Sequence, residues 1–257
     1  MSAVLETEFY RPRLTVTLSR PELHNALNAD IIDAIGEVFS KAASTNEVRY
    51  VVLEGSGPSF CAGADLAWMR EGLDASLAEN RAGAGRLAEV LDTIVACPKP
   101  VIASVHGSAL GGGLGLVAAC DLAVATPDAM FGLTEVRLGL VPAMIFPYLL
   151  RKVARHHLLQ AALTGDRFSA QRAHELGLIN EIDDNREATI ARWAESLVAA
   201  GPQAIARVKE LFHKVPQLSW EAARNYTIDL IAKIRTGREA QEGMRAFLDK
   251  ERPPWMP

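Results

Sequence analysis

Three cysteines in 257 residues are too few, and too odd in number, for a disulfide framework. Their positions (Cys61, Cys97 and Cys120) match no metal-ligand spacing, so they read as reduced core thiols of a cytoplasmic protein, with no metal site among them. No apolar run reaches the length of a membrane span, because Asp121 and several prolines interrupt the most apolar stretch. The first residues carry Glu6 and Glu8 with no basic start before an apolar core, which is unlike a secretory leader or an Arg-rich, acid-poor import sequence. Positive charge is not in excess either. The 27 Lys and Arg face 31 Asp and Glu, a formal net charge of −4, which leaves no electrostatic footprint for nucleic acid. What remains, 49% hydrophobic and 23% charged residues, is ordinary for a soluble α/β domain with a smaller helical appendage.

What the chain does have is glycine concentrated in one place. The run His106-Gly107-Ser108-Ala109-Leu110-Gly111-Gly112-Gly113-Leu114-Gly115 follows the strand-like Val101 to Val105 and leads into an apolar helical stretch. Consecutive glycines lose backbone entropy on folding, so they suit places where φ is positive or another group approaches closely. At a helix start they leave N–H groups unpaired, with the positive end of the dipole behind them. Such amides fit an oxygen that becomes negative during a reaction; a tight strand-to-helix turn is the other reading. The run Ser59-Phe60-Cys61-Ala62-Gly63-Ala64-Asp65-Leu66 again sets small residues just past a strand. Two such turns can hold two donors on one oxygen, forming an oxyanion hole. A third segment, Phe131 to Pro142, carries Glu135 among apolar neighbours, which implies a desolvated carboxyl with a raised pKa, or else a surface carboxylate on a turn. Ser108 is no hydrolase nucleophile by pattern, since His106 and Leu110 stand where an elbow needs glycine.

Periodicity and breakers predict strands over 3–9 and 12–19, a helix capped by Asn28 or Asp30 and running to about Ala43, and a strand from Tyr50 to Glu54. A mobile Ala/Gly-rich stretch from Met69 to Gly85 is expected before a helix ending near Ala96. Cys97-Pro98-Lys99-Pro100 breaks that helix before the next strand. After Pro142 the pattern is mostly helical, with a short strand near Leu178 to Ile182 and helices over Ser219–Ile234 and Glu239–Lys250. Strands alternating with helices imply a sheet with helices on its faces.

In this order, with Leu18-Ser19-Arg20-Pro21 and Asn25-Ala26-Leu27 near one end and Glu242 to Phe247 near the other, the segments resemble the crotonase (enoyl-CoA hydratase/isomerase) superfamily over nearly the whole chain. The resemblance implies an α/β fold: a crotonase spiral of repeated ββα units over 1–195, then a C-terminal helical trimerisation region over 196–257. It implies a homotrimer or a dimer of trimers, a coenzyme A thioester as substrate, and no permanently bound cofactor. The enolate oxygen would be held by the backbone N–H groups of Ala64 and Gly112. Coenzyme A would meet the backbone near His24, the segment Ala62, Ala64, Asp65 and Leu66 at its adenine end, and Phe247 and Lys250 at the nucleotide, often from a neighbouring subunit.

The family's hydratases use two glutamates. Glu135 matches one; Gly115 stands in place of the other, and after Pro142 come Ala143, Met144 and Ile145 where those hydratases have glycines that leave room for water. The segments Ala64–Arg70, Val141–Pro147 and Glu242–Lys250 look most like bacterial methylglutaconyl-CoA and carboxygeranoyl-CoA hydratases, whose substrates carry a second carboxylate. Arg70 is a candidate partner for it, or an exposed helix arginine. The expectation is an enoyl-CoA hydratase with Glu135 delivering the Cα proton. The alternatives are a single-glutamate Δ3,Δ2-enoyl-CoA isomerase and a non-catalytic acyl-CoA binder.

Overall fold

The computed structural model describes residues 4–256. In chain order it runs β1 (Leu5–Tyr10), β2 (Arg13–Leu18), α1 (Ala29–Ser44), β3 (Tyr50–Gly55), α2 (Leu66–Glu71), α3 (Leu77–Ala96), β4 (Val101–Val105), β5 (Ser108–Leu110), α4 (Gly112–Ala119), β6 (Leu122–Ala125) and β7 (Met130–Gly132). It continues with α5 (Phe146–Leu149), α6 (Arg155–Thr164), β8 (Arg167–Ser169), α7 (Ala170–Glu175), β9 (Glu181–Ile182), α8 (Arg186–Ala199), α9 (Pro202–Lys214), α10 (Trp220–Thr236) and α11 (Arg238–Asp249). The expected first strand begins at residue 3, which lies outside the described residues, as do 1, 2 and 257.

Six strands form one sheet in the order β1-β2-β3-β4-β6-β9, antiparallel between β1 and β2 and parallel from β2 onward. A smaller sheet pairs β5 with β7 in parallel and β7 with β8 antiparallel. Strand side chains alternate between faces, and here the two faces enter different cores. Val51, Leu53, Val101, Ala103 and Ala123 join the main core, which also takes Ile31, Ile35 and Phe39 of α1, Leu91 and Ile94 of α3 and Leu114 of α4. Tyr50, Val52, Ile102 and Val124 face the other way, against Ile190 and Ala194 of α8. With helices on both faces, β4 is buried at every position, as a central parallel strand is.

Helix starts follow their sequence signals. Asn28 caps α1 by accepting from the Ile31 amide at 3.1 Å. The stretch expected to be mobile from Met69 to Gly85 is instead helical for most of its length. Ser76 and Glu79 form a reciprocal capping box that starts α3 at Leu77, so Gly83 and Gly85 lie inside a helix. The 195/196 division falls inside α8, and the chain turns only after it, at Ala200-Gly201.

The C-terminal helices are tied to one end of the sheet. Arg49, just before β3, donates to the carbonyls of Ala200 at 2.7 Å, Trp255 at 3.1 Å and Val198 at 3.3 Å. The first and last of these link it to the end of α8, where the dipole favours a cation. The loops that follow β3 and β4 lie at the opposite end of those strands. The three cysteines are buried and unbridged, and burial pushes the Cys61 and Cys120 thiols up to about 12. No helix among the described residues is long and apolar enough to cross a membrane.

Candidate active site

The chain leaving β3 is clamped from both sides. Cys61 donates to the Ser108 carbonyl at 2.9 Å and accepts from Leu110 at 3.0 Å, which docks the segment against β5. On its other flank Leu27 donates to Gly63 at 2.7 Å and accepts from Asp65 at 2.9 Å. Asn25, fully buried, holds the approach to this segment: its amide donates to the carbonyls of Ser56 and Ser59 at 2.8 and 2.7 Å. The neighbouring amides of residue 61, 62 and 65 are therefore taken up. The Ala64 amide has no protein acceptor among the described residues, and Ala64 is exposed.

The glycine run supplies the second free donor. Gly111, at φ +48, caps α4, and its amide is taken by the Gly132 carbonyl at 3.0 Å. Gly112 is the first residue of α4, so its N–H has no partner within the helix and points out along the dipole. Gly63, at φ +96, backs onto this turn. A Cβ at Gly63 would lie 3.0 Å from the Leu110 carbonyl oxygen, and one at Gly111 would lie 3.9 Å from the Gly63 Cα. Only glycine combines that left-handed backbone with so close an approach. The two turns thus meet, and the residues carrying the unpaired amides follow immediately.

Glu135 stands at the same place. It lies on a 3-10 turn, Thr134–Leu138, that Gly139 ends at φ +72. A Cβ at Gly111 would sit 3.2 Å from Glu135 Oε1, so the carboxyl rests against the turn that presents Gly112. Oε2 is buried and has no hydrogen-bond partner among the described residues. Burial raises the Glu135 pKa above the usual carboxylate range, although its own amide partly offsets this. An unpaired buried carboxyl oxygen is costly unless it serves a bound group.

The position of the missing glutamate is packed with hydrocarbon. Gly115 is buried in α4, and a Cβ there would come within 2.3 Å of Ile145 Cγ2 and 3.0 Å of Ile145 Cβ. Ile145 is itself 2% exposed. The space a side chain at Gly115 would need is filled.

Beside Ala64 opens a cavity of about 760 Å³, a size usual for small-ligand sites. Trp68, Met69, Leu73, Leu87, Leu138 and Leu140 are its apolar lining. Leu87 also approaches the Gly112 Cα region, since a Cβ there would lie 3.9 Å from Leu87 Cδ2. The cavity is therefore lined by Ala64 and by Leu138 and Leu140, just after Glu135, and Leu87 connects its wall to the Gly112 turn.

The other expected site residues fare differently. His24, at φ +50, is exposed, with its ring 3.0 Å from Ser59 Oγ, and its carbonyl accepts from Ala62. Burial opposes ionisation of Asp65, but Arg20 at 2.7 Å and the amides of Ala67 and Trp68 outweigh it and hold the carboxyl below its ordinary range. The Asp65 carboxylate thus caps α2 and is bound to Arg20, while its amide donates to Leu27 and its carbonyl accepts from Met69. Leu66 is exposed. Phe247 and Lys250 are exposed on α11, among the helices tied to the far end of the strands, and neither lines the cavity. Arg70 is exposed and does not line it either. Sequence reasoning missed Asn25 and Arg20 as the groups that fix the Ala64 loop. Their segment is visible in the sequence, but not this role, because the groups they hold in the Ala64 loop lie 31 to 45 residues away.

Among the described residues no group of three or more His, Cys, Asp or Glu side chains is arranged to share a metal ion. Residues 11–257 match the family described as enoyl-CoA hydratase/isomerase. The chain is 33% identical to the mevalonyl-coenzyme A hydratase sidH of Aspergillus fumigatus, over 95% of this chain and 91% of that protein. It is 32% identical to the carnitinyl-CoA dehydratase of Salmonella typhi, over 99% of each. The crystal structure of an enoyl-CoA hydratase from Shewanella pealeana superposes with a TM-score of 0.96 at 34% identity, covering 98% of this chain and 96% of that one.

Proposed function

The chain belongs to the enoyl-CoA hydratase/isomerase family, and from that premise we propose that it converts 3-enoyl-CoA to 2-enoyl-CoA thioesters with Glu135 as the sole proton carrier. One observation carries this reading. The Glu135 carboxyl, whose Oε2 has no hydrogen-bond partner among the described residues, lies against the turn that presents Gly112, while the place of a second acid at Gly115 is filled by Ile145.

The thioester oxygen accepts from the Ala64 and Gly112 amides, and the acyl chain lies in the adjoining cavity. Glu135 takes a proton from C2. The C2–H electrons form the C1–C2 double bond of a dienolate, and the carbonyl π electrons move onto the oxygen held by the two amides. Collapse of that anion forms the C2–C3 double bond and takes the Glu135 proton at C4. The amides are fixed before the charge appears; in comparable sites the loss of one such donor costs about 3–4 kcal/mol. The raised pKa suits a carboxyl that must both accept and return a proton. Phe247 and Lys250 would meet the nucleotide only across a subunit contact, in keeping with their place on α11.

Hydration of a 2-enoyl-CoA is the second reading, with Glu135 delivering the Cα proton. The names of the two relatives favour it, since both describe adding or removing water. Spectra separate the two readings: isomerisation of 3-hexenoyl-CoA creates conjugated thioester absorbance, whereas hydration of 2-hexenoyl-CoA consumes it. The proposal requires the first signal and its loss in Glu135→Gln. The second signal alone overturns it in favour of hydration.

A further inference from the structure

We infer that the acyl cavity accepts neutral, apolar acyl chains and rejects acyl groups that end in a carboxylate. This deepens the proposed function and rests on its placement of the acyl chain beside Ala64. Among the described residues, the cavity's charged lining groups are Glu71 and Glu79, and no lysine, arginine or histidine lines it. The remaining wall is Trp68, Met69, four leucines and small residues, with Asn80 the one neutral polar side chain.

A carboxylate carried into this space loses water to an apolar wall and finds no cation to replace it. It also meets two groups of its own sign, and like charges brought together are a strong means of rejecting a ligand. Neither glutamate has a cationic partner among the described residues. Glu79 is held by Ser76 through both its amide and its hydroxyl, at 2.8 and 2.7 Å, and these bonds hold its carboxyl below the ordinary range. Glu71 makes no ion pair among the described residues. Arg70, offered by the sequence as a candidate partner for a second carboxylate or as an exposed helix arginine, stands outside the lining although its neighbours Met69 and Glu71 are part of it. A methyl-ended chain suffers none of these penalties and gains burial against Leu73, Leu87, Leu138 and Leu140.

The test is binding by calorimetry of hexanoyl-CoA and adipoyl-CoA, six-carbon acyl groups that end in methyl and in carboxylate. The full chain and the Glu71→Gln/Glu79→Gln double variant are compared; glutamine preserves the capping pattern with Ser76. Hexanoyl-CoA is expected to bind at least about tenfold more tightly to the natural chain, and the ratio to fall to about threefold or less in the double variant. Equal affinities, tighter binding of adipoyl-CoA, binding of neither, or a ratio unmoved by the double substitution would each overturn the inference. Both probes are saturated, so a failure to isomerise 3-hexenoyl-CoA would count against the proposed reaction and leave this ratio standing.

Discussion

Replacing Gly115 with alanine should destabilise a helix that alanine would ordinarily strengthen. In an open helix interior the change is worth roughly 0.5–1 kcal/mol in favour of alanine. Here the new Cβ would lie 2.3 Å from Ile145 Cγ2 and 3.0 Å from Ile145 Cβ. Ile145 cannot swing aside cheaply, because it is buried and branched at Cβ. Forcing a methyl into a filled core costs about 1–3 kcal/mol, so the net loss is about 1–2 kcal/mol, a fall of a few degrees in Tm. Ile145→Ala alone opens a cavity and costs about 2–5 kcal/mol. The two together should be less harmful than their sum by about 1–3 kcal/mol, since Ile145→Ala removes Cγ2, the atom the new methyl strikes hardest. Urea denaturation of the natural chain, both single variants and the double variant completes the cycle. A Gly115→Ala protein as stable as the natural chain, or an additive cycle, would refute the idea that Ile145 fills the place of a second acid.

Glu135→Gln should lower turnover by about 10²–10⁴-fold while leaving thioester affinity within a few-fold, checked by steady-state kinetics and calorimetry. Because burial raises the Glu135 pKa and the base must be ionised, kcat/KM of the natural chain should fall toward acid pH from a point above the usual carboxylate range. The same shift has a stability sign. A carboxyl raised in the fold favours folding below its unfolded pKa, and that contribution is lost as pH rises through the folded pKa, so Glu135→Gln should gain Tm relative to the natural chain at pH 8 but not at pH 4. Arg49→Met, which strips a donor from three carbonyls, should cost about 1–3 kcal/mol by thermal denaturation.

Much of the site was legible because it is local. The glycine run, the small residues after β3 and the acid in the Phe131–Pro142 segment each announce themselves within ten residues or so, and each ends up at the same place. The bulky residues after Pro142 hinted that room was short, but only the contact between Gly115 and Ile145, 30 residues apart, shows where. The Met69–Gly85 stretch was misjudged because its small residues outweighed Ser76 and Glu79, whose reciprocal caps start a helix that tertiary packing then sustains. The resemblance sets Asp65 beside the ligand, and only the fold shows its carboxylate bound to Arg20, 45 residues earlier. Charge alone marks Arg70 in the sequence, and whether a helix residue faces a cavity depends on neighbours that only the fold supplies.

The most direct test of the central claim is the fate of a deuterium label at C2 of 3-hexenoyl-CoA. A single buried carboxyl working beside two fixed amides should carry part of that label to C4 of the 2-hexenoyl-CoA formed, seen by NMR, and Glu135→Gln should abolish both conversion and transfer. Conversion by Glu135→Gln at the natural rate, with the label still delivered to C4, would contradict it.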